Sequence, residues 1–289
     1  MTTPSTPRIR PLKGVRILSL ALNLPGPAAL MRLRLMGARC VKLESPAGDP
    51  MQSYSPAAYT ALHEGIRIST ADLKTEAGQK KLHAELAQAD VLLTSFRPSA
   101  LAKLGLTWKT LHKQYPQLSQ VAIVGSPGTL AEAPGHDLTY LAENGLVTGL
   151  DLPATLYADM GGSLMASEAV LQAALRKHTH NKGVYLEVAL SSAASYLALP
   201  RSWGLTSPGA AIGGGHAGYQ IYPCKNGRVA VAALEPHFAA RLCAAAGLEA
   251  GSMTQPVTGQ AIAAWLLGKT RRQLDKLAID KDIPLHTLA

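Results

Sequence analysis

Aromatic residues are scarce, with two Phe, three Trp and nine Tyr in 289 residues. The core must therefore be assembled mainly from Ala and Leu, and helices that meet on such small side chains pack closely. Cysteine is nearly absent. Cys40, Cys224 and Cys243 are odd in number and far apart, which argues against a disulfide framework and for a reducing compartment. No run reaches the roughly 18–20 apolar residues of a membrane span. The polar, Pro-rich residues 1–13 have no apolar centre of a signal peptide. The expectation is a soluble, cytoplasmic protein that does not bind membranes. HExxH, P-loop and GxSxG motifs are also missing. His178-Thr179-His180 lies at a basic helix end, and the other histidines show no ligand spacing, so no metal is expected.

Hydrophobic residues make up 47% of the chain and charged residues 16%, a globular composition. Net charge is +9, which favours anionic partners. The basic residues gather loosely at Arg8/Arg10/Lys13/Arg16, Arg32/Arg34/Arg39/Lys42 and Lys269/Arg271/Arg272. No nucleic-acid-binding motif accompanies them, so a phosphate-rich small molecule fits better than a nucleic acid.

The order of patterns predicts an α/β fold. A strand over 15–20 leads through Pro25-Gly26-Pro27 into a helix over 28–36, closed by Gly37, and a second strand covers 39–44. Strand–helix–strand in that order implies a parallel, Rossmann-like sheet. Glu44 ends the second strand as an acidic residue does in dinucleotide-binding folds. The first turn reads Leu24-Pro25-Gly26-Pro27 instead of GxGxxG, which disfavours NAD. Further strands are predicted over 67–70, 91–94, 120–124, 184–190 and 228–233. Helices are predicted over 76–89, 100–104, 160–177, 236–246 and 261–277, and residues 45–66 read as loop. The Gly/Ser/Pro-rich stretch 196–215 reads as a linker. It separates a large Rossmann-like domain, 1–195, from a small α/β domain, 216–289.

Two short segments carry candidate chemistry. Pro134-Gly135-His136-Asp137 sets an imidazole beside a carboxylate after a turn, and Asp159 precedes Gly161-Gly162 at a helix start. From the residues alone, Asp137 and Asp159 read equally well as helix N-caps. Glu235 lies between a strand and a helix, where most carboxylates are solvated.

The chain resembles the class III CoA-transferase family, closest in motifs to its α-methylacyl-CoA racemase branch. The resemblance rests on PLKGVRILSL, LPGPAALMRLRLMGARCVKLESP, ADVLLTSFRPSALAKLGL, APGHDLTYLAENGL, LYADMGGSLMASEAVLQAALRK and VAVAALEPHF, in that order. It implies an enzyme acting on a CoA thioester, with no permanently bound cofactor. In the racemase reading, His136 and Asp159 are the two bases at C2 of a 2-methylacyl-CoA, and Glu235 holds the His. Two acid/base groups can remove a proton on one face and return it on the other. N–H groups near 159–162 would then receive the developing oxyanion. In the transferase reading, CoA passes between carboxylic acids through Asp137 as nucleophile. A non-catalytic CoA-binding member is the third reading. The resemblance assigns CoA contacts to Ala71, Asp72, Leu73, Lys74, Arg97, Gly135 and Tyr140. It also implies a homodimer, which the family forms by interlocking two chains. Family members carry a further segment for this beyond the counterpart of Ala289. Where they carry Arg-Gly-Lys-Arg, this chain has His63-Glu64-Gly65-Ile66-Arg67, and Ser99 follows Phe96-Arg97-Pro98 in place of Gly.

Overall fold

Leucine, isoleucine and valine runs of four to six residues, each followed by a helix, close into one parallel sheet in the computed structural model, which describes residues 9–249 and 252–289. The chain divides into two compact units, the first ending at Ala198 and the second spanning Leu199–Ala289. The first unit opens with β1 (Arg16–Ser19), α1 (Pro25–Leu35), β2 (Arg39–Glu44), α2 (Met51–Tyr54), α3 (Pro56–Leu62) and β3 (Arg67–Thr70). It continues through α4 (Glu76–Leu86), β4 (Val91–Thr94), α5 (Pro98–Lys103), α6 (Trp108–Gln114) and β5 (Ser119–Val124). It closes with α7 (Asp137–Glu143), α8 (Tyr157–His180), β6 (Tyr185–Ala189) and α9 (Leu190–Leu197).

The six strands lie in the order β3-β2-β1-β4-β5-β6, all parallel. This is the doubly wound arrangement, and its strand order reverses between β1 and β4. Side-chain alternation along each strand separates two cores. Ile17, Leu93 and Val121 face α1 and α8 on one side. Leu18, Leu92 and Leu43 face Leu82, Leu86 and Leu111 of α4 and α6 on the other. The scarcity of aromatics has its counterpart in α8, whose buried residues are small: Ala158, Gly162, Ser163, Ala166, Ser167, Ala169, Val170 and Ala173.

The second unit contains α10 (Leu199–Ser202), β7 (Tyr219–Cys224), β8 (Gly227–Ala232), α11 (Pro236–Ala245), α12 (Pro256–Leu267), α13 (Arg271–Lys281) and β9 (Leu285–Leu288). Its three strands form an antiparallel sheet in the order β7-β8-β9. Val229, Val231, Leu242, Ile262, Leu266 and Leu274 make a core of its own. A Rossmann-like parallel sheet plus a smaller α/β unit is thus the architecture.

Several elements differ from the expectation. Residues 45–66, read as loop, contain α2 and α3; α3 starts at Pro56, a first-turn position where its missing N–H costs nothing. For the same reason α1 begins at Pro25. The single helix expected over 261–277 is two, α12 and α13. Thr270 starts the second with a capping box, accepting the Gln273 N–H at 3.3 Å and donating its own N–H to Gln273 Oε1 at 2.8 Å.

Candidate active site

The loop from β5 delivers His136 and Asp137 to the C-terminal edge of the parallel sheet, and α8 starts at the same edge. Ligands bind on this edge in open α/β sheets. His136 precedes α7 in extended conformation, φ −144° and ψ 169°, and Thr139 Oγ1 accepts its N–H at 3.1 Å. Its side chain is exposed, whereas Asp137 is buried at 5% exposure. Asp137 Oδ1 accepts the backbone N–H of Asp159 at 2.9 Å. Asp137 therefore caps α8 from a distance of 22 residues along the chain.

Asp159 is neither an N-cap nor ahead of the helix. The helix begins at Tyr157, three residues earlier than the predicted 160, and Asp159 sits in its first turn. Burial, with the Asp137 carboxylate beside it, raises the Asp159 pKa to about 6, and His136 opposes the rise. The donors expected over 159–162 also need correction. The N–H of Asp159 goes to Asp137 and that of Met160 to the Leu156 carbonyl. Gly161 and Gly162 are inside the helix, where i→i−4 bonding takes their N–H groups. These glycines serve packing: a side chain on Gly162 would collide with Leu190 of α9. The N–H groups of Tyr157 and Ala158 remain at the helix start, where no intrahelical acceptor exists.

Tyr140, on α7, is buried at 4% exposure with its hydroxyl against Gly125 and Gly135, and any side chain on either glycine would meet it. Burial raises its pKa, Asp159 and Glu143 add to the rise, and Arg97 opposes it. Gly135, His136, Asp137, Tyr140, Asp159 and Arg97 thus form one neighbourhood. Arg97 follows β4 and is exposed. Ser99, beside it, gives its N–H and hydroxyl to the Glu132 carboxylate at 2.5 and 2.9 Å, which ties the β4 loop to the β5 loop. Ala71, Asp72, Leu73 and Lys74 form the turn after β3 on the same sheet edge, with the Lys74 N–H on Asp72 Oδ1 at 3.0 Å. Glu235 belongs to the second unit, where it is exposed and precedes α11.

Two features of this edge escape a sequence reading. Tyr54, on α2, lies near enough to Asp49 and Asp159 that both raise its pKa, after burial. Behind α2 is a buried ionic network centred on Lys42, which is 0% exposed. Its ammonium reaches Asp49 Oδ2 at 2.5 Å, Glu44 Oε1 at 3.0 Å and His63 Nε2 at 3.0 Å, using all three N–H groups. His63 Nδ1 lies 2.7 Å from the Tyr59 carbonyl, which can only accept. The proton is therefore on Nδ1, and Nε2 receives Lys42. Burial lowers the His63 pKa and Lys42 lowers it further, consistent with this neutral form. Glu44 also accepts the Tyr59 hydroxyl at 3.0 Å, and Asp49 accepts the N–H groups of Asn23 and Met51. Glu44 is thus consumed by structure and does not present a free carboxylate to a ribose. The strand alternation places Lys42 and Glu44 on one face; Asp49 and His63 are too remote in sequence to be foreseen.

A profile described as CoA-transferase family III matches residues 12–289. The chain belongs to this family. Mouse alpha-methylacyl-CoA racemase is 30% identical over 256 residues, covering 82% of this chain and 65% of the relative. Cinnamoyl-CoA:phenyllactate CoA-transferase of Clostridium sporogenes is 37% identical over 155 residues, covering 47% of this chain and 36% of the relative. Human succinyl-CoA:glutarate CoA-transferase is 27% identical over 254 residues, covering 78% and 57%. The chain spans about half the length of such curated relatives, from 36% to 65% in the first three. A CAIB/BAIF family protein of Brucella suis superposes with TM-score 0.82 at 23% identity, covering 97% of this chain and 84% of that one. That likeness speaks for the fold. Family members act on CoA thioesters, and both racemases and CoA-transferases occur among the relatives. Among the described residues, no helix is long and apolar enough to cross a membrane.

Proposed function

We propose that this chain binds a CoA thioester at the C-terminal edge of the parallel sheet and moves the proton α to the thioester carbonyl. A 2-methylacyl-CoA would thereby be epimerised at C2, with Asp159 and His136 as the two acid/base groups. The observation that carries this reading is the raised pKa of Asp159, about 6, beside an exposed imidazole. A carboxyl group titrating there both takes and gives protons near neutrality. The N–H groups of Tyr157 and Ala158, at the positive end of α8, are the candidate donors to the enolate oxygen. The turn Ala71–Asp72–Leu73–Lys74 with Arg97 would hold the phosphates of CoA.

The experiment is incubation of a 2-methylacyl-CoA with the protein in deuterated water, followed by mass spectrometry. Expected is deuterium at C2, lost in His136→Ala and in Asp159→Asn. Glu235→Gln reports separately on the residue from the second unit. Exchange that persists in the double variant at residues 136 and 159 overturns the assignment.

The CoA-transferase relatives support a second reading, in which a carboxylate attacks the thioester carbonyl, the C–S bond breaks and CoA leaves as the thiolate. The thiolate attacks the aspartyl carbonyl of the resulting anhydride, which expels the donor as a free carboxylate and leaves CoA on the aspartate. An acceptor carboxylate then repeats the two steps in reverse, so CoA leaves on the acceptor and the aspartate is freed. Asp137 was the expected nucleophile, but it is buried with Oδ1 engaged, so its burial favours Asp159 as the carboxylate that meets substrate. Trapping with hydroxylamine and peptide mapping distinguishes an adduct on Asp159 from one on Asp137. Calorimetric binding of acyl-CoA without exchange or adduct would leave a non-catalytic CoA-binding protein. The homodimer implied for the family is part of the proposal and is tested by sedimentation.

A further inference from the structure

We propose that the opposite, N-terminal edge of the parallel sheet carries a second ligand site, for a compact polyanion bearing phosphate groups. A cavity of about 530 Å³ opens there, between the starts of β1, β2 and β3 and the ends of α1 and α4. Among the described residues, five arginines line it, Arg10, Arg16, Arg34, Arg39 and Arg67, against one carboxylate, Glu85.

Glu85 is already committed, since both its oxygens accept from Arg67 at 2.7 and 2.9 Å. Arg16 donates to Gln88, an uncharged partner, at 3.2 Å. Two further carboxylates adjoin lining residues in sequence. Asp90 is taken by the Arg16 backbone N–H and by Lys177. Glu64, beside Gly65, is exposed and among the described residues pairs with none of the five arginines. Among the described residues, the guanidiniums of Arg10, Arg34 and Arg39 have no hydrogen-bonding or ionic partner. Residues 1–8, which precede the cavity in sequence, include no Asp or Glu. The cavity wall therefore carries uncompensated positive charge that water and salt alone would have to neutralise.

The placement of these groups is specific. Gly65 turns with φ +69°, and the guanidinium of Arg34 lies directly against its Cα, where a side chain would collide with it. The end of α1 favours a cation such as Arg34 through its dipole. That reason does not extend to Arg10, Arg16 and Arg39, which stand before or at the start of strands. The Cys40 thiol at the wall is pushed up to about 12 by burial, against the pull of Arg34, so it supplies no thiolate to balance the charge.

Guanidinium forks match phosphate oxygens in pairs and stay charged at any physiological pH. Among the described residues, no aromatic side chain lines the cavity to stack on a base. The fit is to clustered phosphates, as in a di- or triphosphate group, rather than to a nucleobase. The site lies across the sheet from His136, Asp137 and Asp159, so it is separate from the proposed thioester site.

Titration calorimetry with inorganic tripolyphosphate on the intact chain tests this. The expected result is saturable binding by the native protein. It weakens about tenfold or more in Arg34→Gln/Arg39→Gln, as loss of charge-assisted bonds requires. Arg10→Gln/Arg39→Gln removes only exposed side chains that hold nothing in the fold, and is expected to weaken binding equally, with circular dichroism unchanged. Lys74→Gln/Arg97→Gln, at the other edge, is expected to retain it. No saturable binding by the native protein, native-like affinity in both arginine pairs, or a loss confined to Lys74→Gln/Arg97→Gln overturns the proposal.

Discussion

Burial of Asp159 beside the Asp137 carboxylate has a cost that the fold carries at neutral pH. Its pKa rises from 3.8 to about 6, so between those values the native chain holds a proton that the unfolded chain has released. Stability from this group is therefore greatest below about pH 4 and declines as pH rises towards 6. Asp159→Asn is expected to stabilise the protein above pH 6 by up to about 3 kcal/mol, the upper bound set by the shift. The place of Asp159 in the first turn of α8 reduces that gain. Urea unfolding at pH 4 and pH 7.5 measures it; a gain of equal size at both pH values contradicts the electrostatic origin. The same substitution should remove α-proton exchange, so activity and stability move in opposite directions. At this scale the sequence offered His136 and Asp159 as candidates only through the family resemblance, since residue type and position alone read Asp159 equally well as a helix N-cap. It could not reveal that Asp137 turns inward to cap α8, because that bond spans 22 residues and depends on how two loops meet.

The elements most legible in advance were the parallel strands. β2, β3 and β4 lie where their runs of apolar and β-branched residues, bounded by Gly, Pro or Ser, predicted them. β7 and β9 were not foreseen. β7 is an edge strand containing Pro223, a residue that argues against a strand unless its face is unpaired. β9 is four half-exposed residues whose pairing with β8 is set by the rest of the second unit. Among helices, α4 yields a test of how an element shapes the site. Gly78 in its first turn lies under the carbonyl of Asp72, and a methyl group there would overlap that backbone oxygen. The turn 71–74 folds back on α4 through this contact and through Thr75, whose N–H and hydroxyl both reach the Asp72 carbonyl. Gly78→Ala should therefore destabilise by about 1–3 kcal/mol, although alanine favours a helix by about 1 kcal/mol over glycine. It should also weaken CoA binding. Unchanged thermal unfolding together with unchanged CoA affinity would show that the turn tolerates displacement.

Across the whole molecule, the net charge of +9 and a sequence pI near 9.5 create a positive field around a chain proposed to bind polyphosphorylated ligands. Association with CoA should then be steered over long range. Raising salt from about 10 mM to about 1 M shortens the screening length from about 30 Å to about 3 Å. Stopped-flow association rates should fall about tenfold over that range, with a smaller change in dissociation. A rate indifferent to salt would mean that the field does not guide the encounter. The composition shift in the Gly/Ser/Pro-rich stretch led to an expected linker over 196–215, and the structure divides into two units between Ala198 and Leu199, each with its own core. The charge network inside the first unit was not legible, since its four members are polar residues scattered over 22 positions, from Lys42 to His63. Glu44, Asp49 and His63 bring one ligand atom each within 4.8 Å of one another, a grouping that elsewhere would gather a divalent ion. Here the centre is filled by a cation on a covalent tether. Lys42 cannot dissociate, be chelated or be exchanged for a competing ion, so this part of the fold is indifferent to metal supply.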